Sequence, residues 1–213
     1  MQRLSRFPKQ PVPVARGDEV TLDVLQFADG PDGLARLDDY VVFVRGALPG
    51  ERVTATITSA TRKFARAEVL SVVRESEARV EPRCAHFETC GGCQLQHLAY
   101  PAQLAAKRER LSRQLAHALR DRAPEVAEPI AAEPYGARHK VVVHLARARN
   151  GQLEAAFHRA RSLDLVPVRE CPASAPLAFA LAQRTVELLQ PLGLVPWDPD
   201  FAPYGVLRSV LVR

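Results

Sequence analysis

The sequence predicts a small all-β barrel of the OB type over residues 17–80, followed by an α+β central domain over residues 81–213. In the first region, short runs rich in β-branched residues are separated by turn-forming residues, which gives about five strands, the number typical of an OB-fold. In the second region, leucines recur at helical spacing between segments with strand patterns. Residues 1–16, which are basic and rich in proline, predict a flexible tail.

The strands of the first region follow from local patterns. Val20, Leu22 and Val24 alternate with polar neighbours, as in a strand with one buried face. Residues 40–44 form a continuous apolar run, which is typical of a buried strand. The remaining expected strands cover residues 53–57 and 65–73.

The second region begins with an expected helix over residues 100–120, in which Pro101 suits the first turn and the leucines are expected to face the core. A proline-containing linker follows at 121–134. Asn150 and Gly151 are a strong signal for a hairpin turn. Further elements are expected as strands at 141–145, 153–157, 163–168 and 206–212 and as a helix at 176–190.

Composition places the chain among ordinary globular proteins, with 47% hydrophobic and 25% charged residues. No apolar run approaches the roughly 20 residues of a membrane span, and no signal-peptide pattern is visible. We therefore expect a cytoplasmic protein without a membrane partner and, in its simplest form, a monomer. The net charge of +5 is compatible with binding to nucleic acid.

The four cysteines of the chain are Cys84, Cys90, Cys93 and Cys171. Three lie close together and the fourth lies far downstream, a common arrangement for the four thiolates that hold a [4Fe–4S] cluster. Zinc is the alternative, because Cys84, Cys90, Cys93 and His97 could form a local Cys3His site. The cysteine pattern alone leaves both metals open, whereas a disulfide framework fits a chain without a secretory signal poorly.

A basic connection in the predicted barrel is a candidate for RNA binding. Arg62, Lys63 and Arg66 surround Phe64, and an aromatic ring among cations can stack on an unpaired base while the cations contact phosphates. A solvated hairpin tip with Phe64 in the core is the alternative.

Several segments of the chain resemble the RNA (uracil-5-)-methyltransferases that carry an N-terminal TRAM domain. They include GDEVTLDV at 17–24, VVFVRGALPGERV at 41–53, CAHFETCGGCQLQH at 84–97, FHRARS at 157–162 and LRSVLVR at 207–213. The resemblance implies that residues 17–80 are an RNA-binding TRAM barrel and that Cys84, Cys90, Cys93 and Cys171 hold a [4Fe–4S] cluster. Within the shared segments we also expect RNA contacts from Arg138, Lys140, His158, Arg159 and Arg161.

The resemblance implies an S-adenosylmethionine-dependent enzyme that methylates C5 of uracil in structured ribosomal or transfer RNA. In this family a C-terminal Rossmann-like domain binds S-adenosylmethionine. No Gly-rich strand–loop–helix motif is visible here, and no thiolate is left to attack the base if all four cysteines hold iron. We therefore expect that the methyltransferase domain is missing, that the chain contributes no catalytic residue, and that the chain alone is inactive. The alternative is a stand-alone RNA-binding module with iron–sulfur or zinc and without catalysis.

Overall fold

The computed structural model of the protein describes residues 12–198 and 202–213, so most of the predicted tail lies outside the described residues. The chain divides into two compact units. The first comprises the residues up to Arg79 together with Pro101–Ala127, and the second comprises Val80–Tyr100 together with Glu128–Arg213. Among the described residues, no helix is both long and apolar enough to cross a membrane.

The first unit is built on a closed five-stranded barrel. The strand order around it is β1-β2-β3-β5-β4, and β1 also pairs with β4 to close the circle. Neighbouring strands are antiparallel except for β3 and β5, which run parallel. The five strands are β1 (Glu19–Phe27), β2 (Gly33–Leu37), β3 (Tyr40–Arg45), β4 (Arg52–Ala60) and β5 (Phe64–Arg74).

The alternation of apolar residues accounts for the barrel core. Leu22 and Val24 of β1, Val42 and Val44 of β3, and their counterparts on β4 point inward and are buried, since side chains two residues apart share one face of a strand. Val14, which lies within the predicted tail, is also buried in this cluster. Helix α1 (Tyr100–Leu119) follows later in the chain and contains no buried residue.

The second unit contains a four-stranded antiparallel sheet in the order β8-β7-β6-β9. The strands are β6 (Val141–Arg147), β7 (Leu153–His158), β8 (Leu165–Pro167) and β9 (Ser209–Val212), and helix α2 (Pro176–Leu189) lies against the sheet. The inward side chains Phe179, Ala182 and Val186 of α2 pack against Val141 and Val143 of β6. The segment before α2 thereby holds Cys171 close to this sheet.

Candidate functional site

The four cysteines meet at one cavity of the second unit. Cys84, Cys90 and Cys93 come from the loop that follows Val80, and Cys171 comes from the turn between β8 and α2. Tight turns shape the loop, since the Phe87 N–H donates to the Cys84 carbonyl at 3.0 Å and the Cys90 N–H donates to the His86 carbonyl at 2.8 Å. The fold therefore brings the distant fourth cysteine to the local three.

Hydrogen bonds orient the cysteines and their loop. The Cys84 N–H donates to Oε1 of the buried Gln96 at 3.2 Å. The Gly92 N–H points at Cys90 Sγ at 3.4 Å, and the Ser174 hydroxyl donates to Cys171 Sγ at 3.1 Å. Such donors stabilise a thiolate or a metal-bound sulfur, so the surroundings of the sulfurs suit ligands rather than inert core cysteines.

The electrostatics of the cavity keep two of the sulfurs protonated in the absence of a metal. Burial raises the pKa of the Cys84 thiol, and the neighbouring Cys171, Cys93 and Cys90 raise it further, although a backbone N–H at His86 opposes them. Burial also raises the pKa of Cys90, against the lowering effects of the Gly92 N–H and Arg138. Cys93 and Cys171 contribute to both of these shifts, and a metal would have to displace the protons of Cys84 and Cys90.

The cavity does not enclose a ready-made ion site. Its free volume is about 10 Å³, close to the space for one water molecule. In the part of the chain that the structure describes, no three His, Cys, Asp or Glu side chains form a compact group that would hold a metal ion. The donor set of four thiols suits an iron–sulfur cluster.

The zinc alternative places His97 beside the local cysteines. In the structure His97 is buried and its ring lies against Phe87, with 5.1 Å between ring centroids. His97 does not line the cavity that the cysteines share, whereas Cys171 does. The arrangement therefore favours a four-cysteine site over a local Cys3His site.

The RNA-binding residues predicted on the barrel lie around an aromatic pair. Phe64 meets Phe43 edge-on, with 5.5 Å between ring centroids, and the Arg66 guanidinium lies 5.7 Å and 5.8 Å from the two rings. Arg66 also forms an ion pair with Asp32 at 3.4 Å. Arg62 and Lys63 are exposed in the adjacent turn. Phe64 is half-buried, so it is not a core residue and part of its surface remains accessible to a base.

The RNA-binding residues predicted in the second unit separate into two groups. His158, Arg159 and Arg161 line one open groove. Arg138 instead donates from Nη2 to the Gly92 carbonyl at 2.9 Å and lines the cysteine cavity, while Lys140 is exposed just before β6. The contacts of Arg138 indicate a residue that holds the cysteine loop in place. RNA binding by all of these residues stays a prediction.

Four residues of these sites were missed in the sequence: Gln96, Ser174, Phe43 and His144. Ser174 could have been found, because a hydroxyl three residues after a ligand cysteine can turn back to its sulfur. The strand register brings together Phe43 and Phe64, as it does His144 and His158, and a single sequence does not show that register.

Comparison with known proteins identifies relatives for both units. Residues 13–70 match the TRAM domain family, which confirms the TRAM prediction. The chain is 36% identical over 207 residues to a protein of Enterococcus faecalis named as an uncharacterised RNA methyltransferase, covering 94% of this chain and 44% of that protein. It is 37% identical over 163 residues to a 23S rRNA (uracil(1939)-C(5))-methyltransferase of Dechloromonas aromatica, covering 76% of this chain and 38% of that protein.

A solved structure has a similar fold. The tRNA (uracil-54, C5)-methyltransferase of Pyrococcus abyssi, in complex with S-adenosyl-L-homocysteine, superposes with a TM-score of 0.61 at 24% identity, covering 89% of this chain and 42% of that chain. The chain thus spans less than half the length of the relatives that it matches.

The comparisons correct the predicted fold class. The statement that a Rossmann-like methyltransferase domain is missing is wrong, because relatives named as RNA methyltransferases align with 94% of this chain and the solved methyltransferase covers 89% of it. Almost all of the chain is therefore related to methyltransferase sequence. The prediction rested on the lack of a Gly-rich motif and of a spare thiolate, and such local features do not define which domains a chain contains. The expectation of an inactive chain had the same basis and is withdrawn with it.

Proposed function

We propose that this chain, which carries a TRAM domain and aligns along most of its length with RNA methyltransferases, belongs to an enzyme that methylates C5 of uracil in RNA. The observation that carries the proposal is the alignment itself, because it runs through both units. The alternation of apolar and polar residues that produces the barrel and the sheet could arise in unrelated proteins. An alignment of this length that also runs through the cysteine loop is not expected between unrelated proteins.

The methyl donor that we propose is S-adenosylmethionine. Methylation of uracil C5 in general proceeds by addition of a thiolate to C6, transfer of the methyl group to C5 and removal of the C5 proton by a base. We assign the described residues to RNA binding and positioning around that chemistry. The TRAM barrel contributes Arg62, Lys63 and the rings of Phe43 and Phe64, and the substrate would be structured ribosomal or transfer RNA.

We further propose that Cys84, Cys90, Cys93 and Cys171 hold a [4Fe–4S] cluster. Support comes from their common cavity, from the hydrogen bonds to Cys90 and Cys171, and from a lining that excludes His97. The role of the cluster is structural, because it joins the loop of residues 84–93 to the segment before α2 and methyl transfer needs no electron. Reduced thiols are maintained in the cytoplasm, where we place the protein as a monomer.

Metal analysis tests the cluster. Protein purified without oxygen should contain about four irons and an equal amount of acid-labile sulfide per chain, with broad visible absorption. Cys171→Ser should lose the iron, while Ser174→Ala should keep it, because that substitution removes a hydrogen bond but no ligand. A colourless protein with one zinc per chain, or unchanged iron in Cys171→Ser, would refute the assignment.

RNA methylation tests the enzymatic proposal. The enzyme to which this chain belongs is incubated with isotope-labelled S-adenosylmethionine and unmodified ribosomal or transfer RNA, and the product nucleosides are identified by mass spectrometry. We expect 5-methyluridine at a defined position. RNA that is bound with a steep salt dependence but gains no methyl group would instead support a binding module without catalysis.

A further inference from the structure

An open groove of about 600 Å³ lies on the second unit, next to the cysteine loop. Gly91 and Gly92 line it together with the end of β7 and the turn that follows. The Gly91 N–H donates to the His158 carbonyl at 2.9 Å. No part of the cluster assignment requires this groove.

Two histidine rings form an aromatic wall in the groove. His144 of β6 and His158 of β7 lie with their ring centroids 4.2 Å apart and their planes inclined by 54°. Nδ1 of His158 is 3.0 Å from the Leu163 carbonyl. Since a carbonyl oxygen only accepts, Nδ1 carries the proton, and Nε2 of a neutral His158 is left as an acceptor for a ligand.

The charged side chains that line the groove are positive. Arg159 and Arg161 line it, and none of the described residues that line it is acidic. Burial lowers the pKa of His144, and His158 and Arg208 lower it further. The arginines, rather than His144, therefore supply the positive charge, and the His144 ring offers an aromatic face and a neutral polar edge.

From this geometry we infer that the groove binds one unpaired nucleotide of the RNA, with its base against the His144–His158 wall and its phosphate near Arg159 and Arg161. An aromatic wall beside cations matches the two parts of a nucleotide. Bases inside an RNA duplex are already stacked and cannot reach such a wall, so the groove selects single-stranded segments. The inference rests on the proposed RNA substrate, but it assigns a specific site and a specific RNA conformation.

Binding of short labelled RNAs to the full chain tests the site. The probes are a single-stranded 10-mer and the same sequence in a duplex, each titrated at several salt concentrations. His144→Ala and His158→Ala should each weaken binding of the single strand about 5- to 150-fold, as expected for loss of a base stack. Their effect on the duplex should be small. Arg159→Gln should weaken binding and reduce the salt slope by about 0.7.

Matched variants separate stacking from misfolding. His158→Phe keeps an aromatic ring and should bind the single strand within about threefold of the unchanged protein, as base–aromatic stacking needs only a π-face. His117→Ala removes an exposed histidine of α1 that does not line the groove and should change nothing. If RNA binds normally but the histidine variants behave like His117→Ala, or if His158→Phe is as weak as His158→Ala, the groove assignment is overturned. If the unchanged protein binds neither RNA, the proposed function itself fails.

Discussion

Substitution of Glu51 should destabilise the barrel far more than substitution of an exposed acidic residue. The Glu51 side chain is fully buried in the first unit. Its carboxylate accepts the Leu48 N–H at 2.8 Å and the Arg79 guanidinium at 2.5 Å and 2.8 Å from Nε and Nη2. Arg79 also donates to the Gly46 carbonyl at 2.9 Å. The pair therefore fastens the connection between β3 and β4 to the segment that follows β5.

The expected loss follows from the groups that remain. Glu51→Ala would leave the Leu48 N–H and the Arg79 guanidinium, which is 19% exposed, without their acceptor. Removing one partner of a buried ion pair typically costs about 3–5 kcal/mol. The matched control is Glu68→Ala, because the Glu68 carboxylate pairs with Arg45 at 3.2 Å with both side chains exposed. Such a surface pair contributes less than about 1 kcal/mol.

The assay must report on the correct unit. Trp197 is the single tryptophan and lies in the second unit, so its fluorescence does not follow the barrel. Hydrogen exchange of peptides from β4 and β5 reports the opening free energy of the barrel directly, with peptides from β6 as an internal reference. Equal exchange in Glu51→Ala and Glu68→Ala would refute the argument that the buried pair stabilises the barrel.

Three further predictions concern the same two units. Burial alone would raise the pKa of Glu51, but Arg79 and backbone N–H groups outweigh it and lower that pKa below 4.5. The contribution of the ionised Glu51 to barrel stability should therefore be full above pH 4.5 and be lost as the pH falls through the lower pKa of the folded state. Acid titration of the Glu51→Gln variant should not show this loss. Phe64→Ala should reduce the affinity for single-stranded RNA by about tenfold in filter binding, whereas the control Leu70→Ala should not change it. If the two variants bind RNA with equal affinity, Phe64 does not belong to the RNA-binding surface. Gly91→Ala would bring a Cβ to 2.9 Å from the backbone of Ala160 and should increase hydrogen exchange in residues 84–98, whereas Gly30→Ala meets nothing within 4 Å and should not.

The periodicity of the sequence located most strands within a few residues, because one face of each strand is buried. The short strand β2 (Gly33–Leu37) was not identified, since it directly follows a turn-rich segment. The leucines of α1 were expected to be core, yet Leu111 is 46% and Leu119 is 39% exposed. A helical stripe shows which residues share a face, but the fold decides whether that face is covered.

The sequence alone shows more of the cysteine site than of the histidine wall. The local spacing of Cys84, Cys90 and Cys93 and the distant Cys171 are visible in the sequence, and the resemblance added the preference for iron–sulfur over zinc. The histidine wall is not visible, because His144 and His158 meet through the register that pairs His144 with Ala156. A register shifted by one residue would turn one of the rings to the opposite face of the sheet.

The cysteine cavity and the nucleotide groove share one piece of backbone. Gly92 lines both, and the backbones of Cys90 and Arg159 form an isolated antiparallel bridge. A cluster that fixes Cys90 and Cys93 would therefore also fix the glycines of the groove, one of which donates from the Gly91 N–H to the His158 carbonyl. The cluster can then affect RNA binding through position alone, without a change of its oxidation state, because the loop that it orders forms part of the surface that contacts the nucleotide.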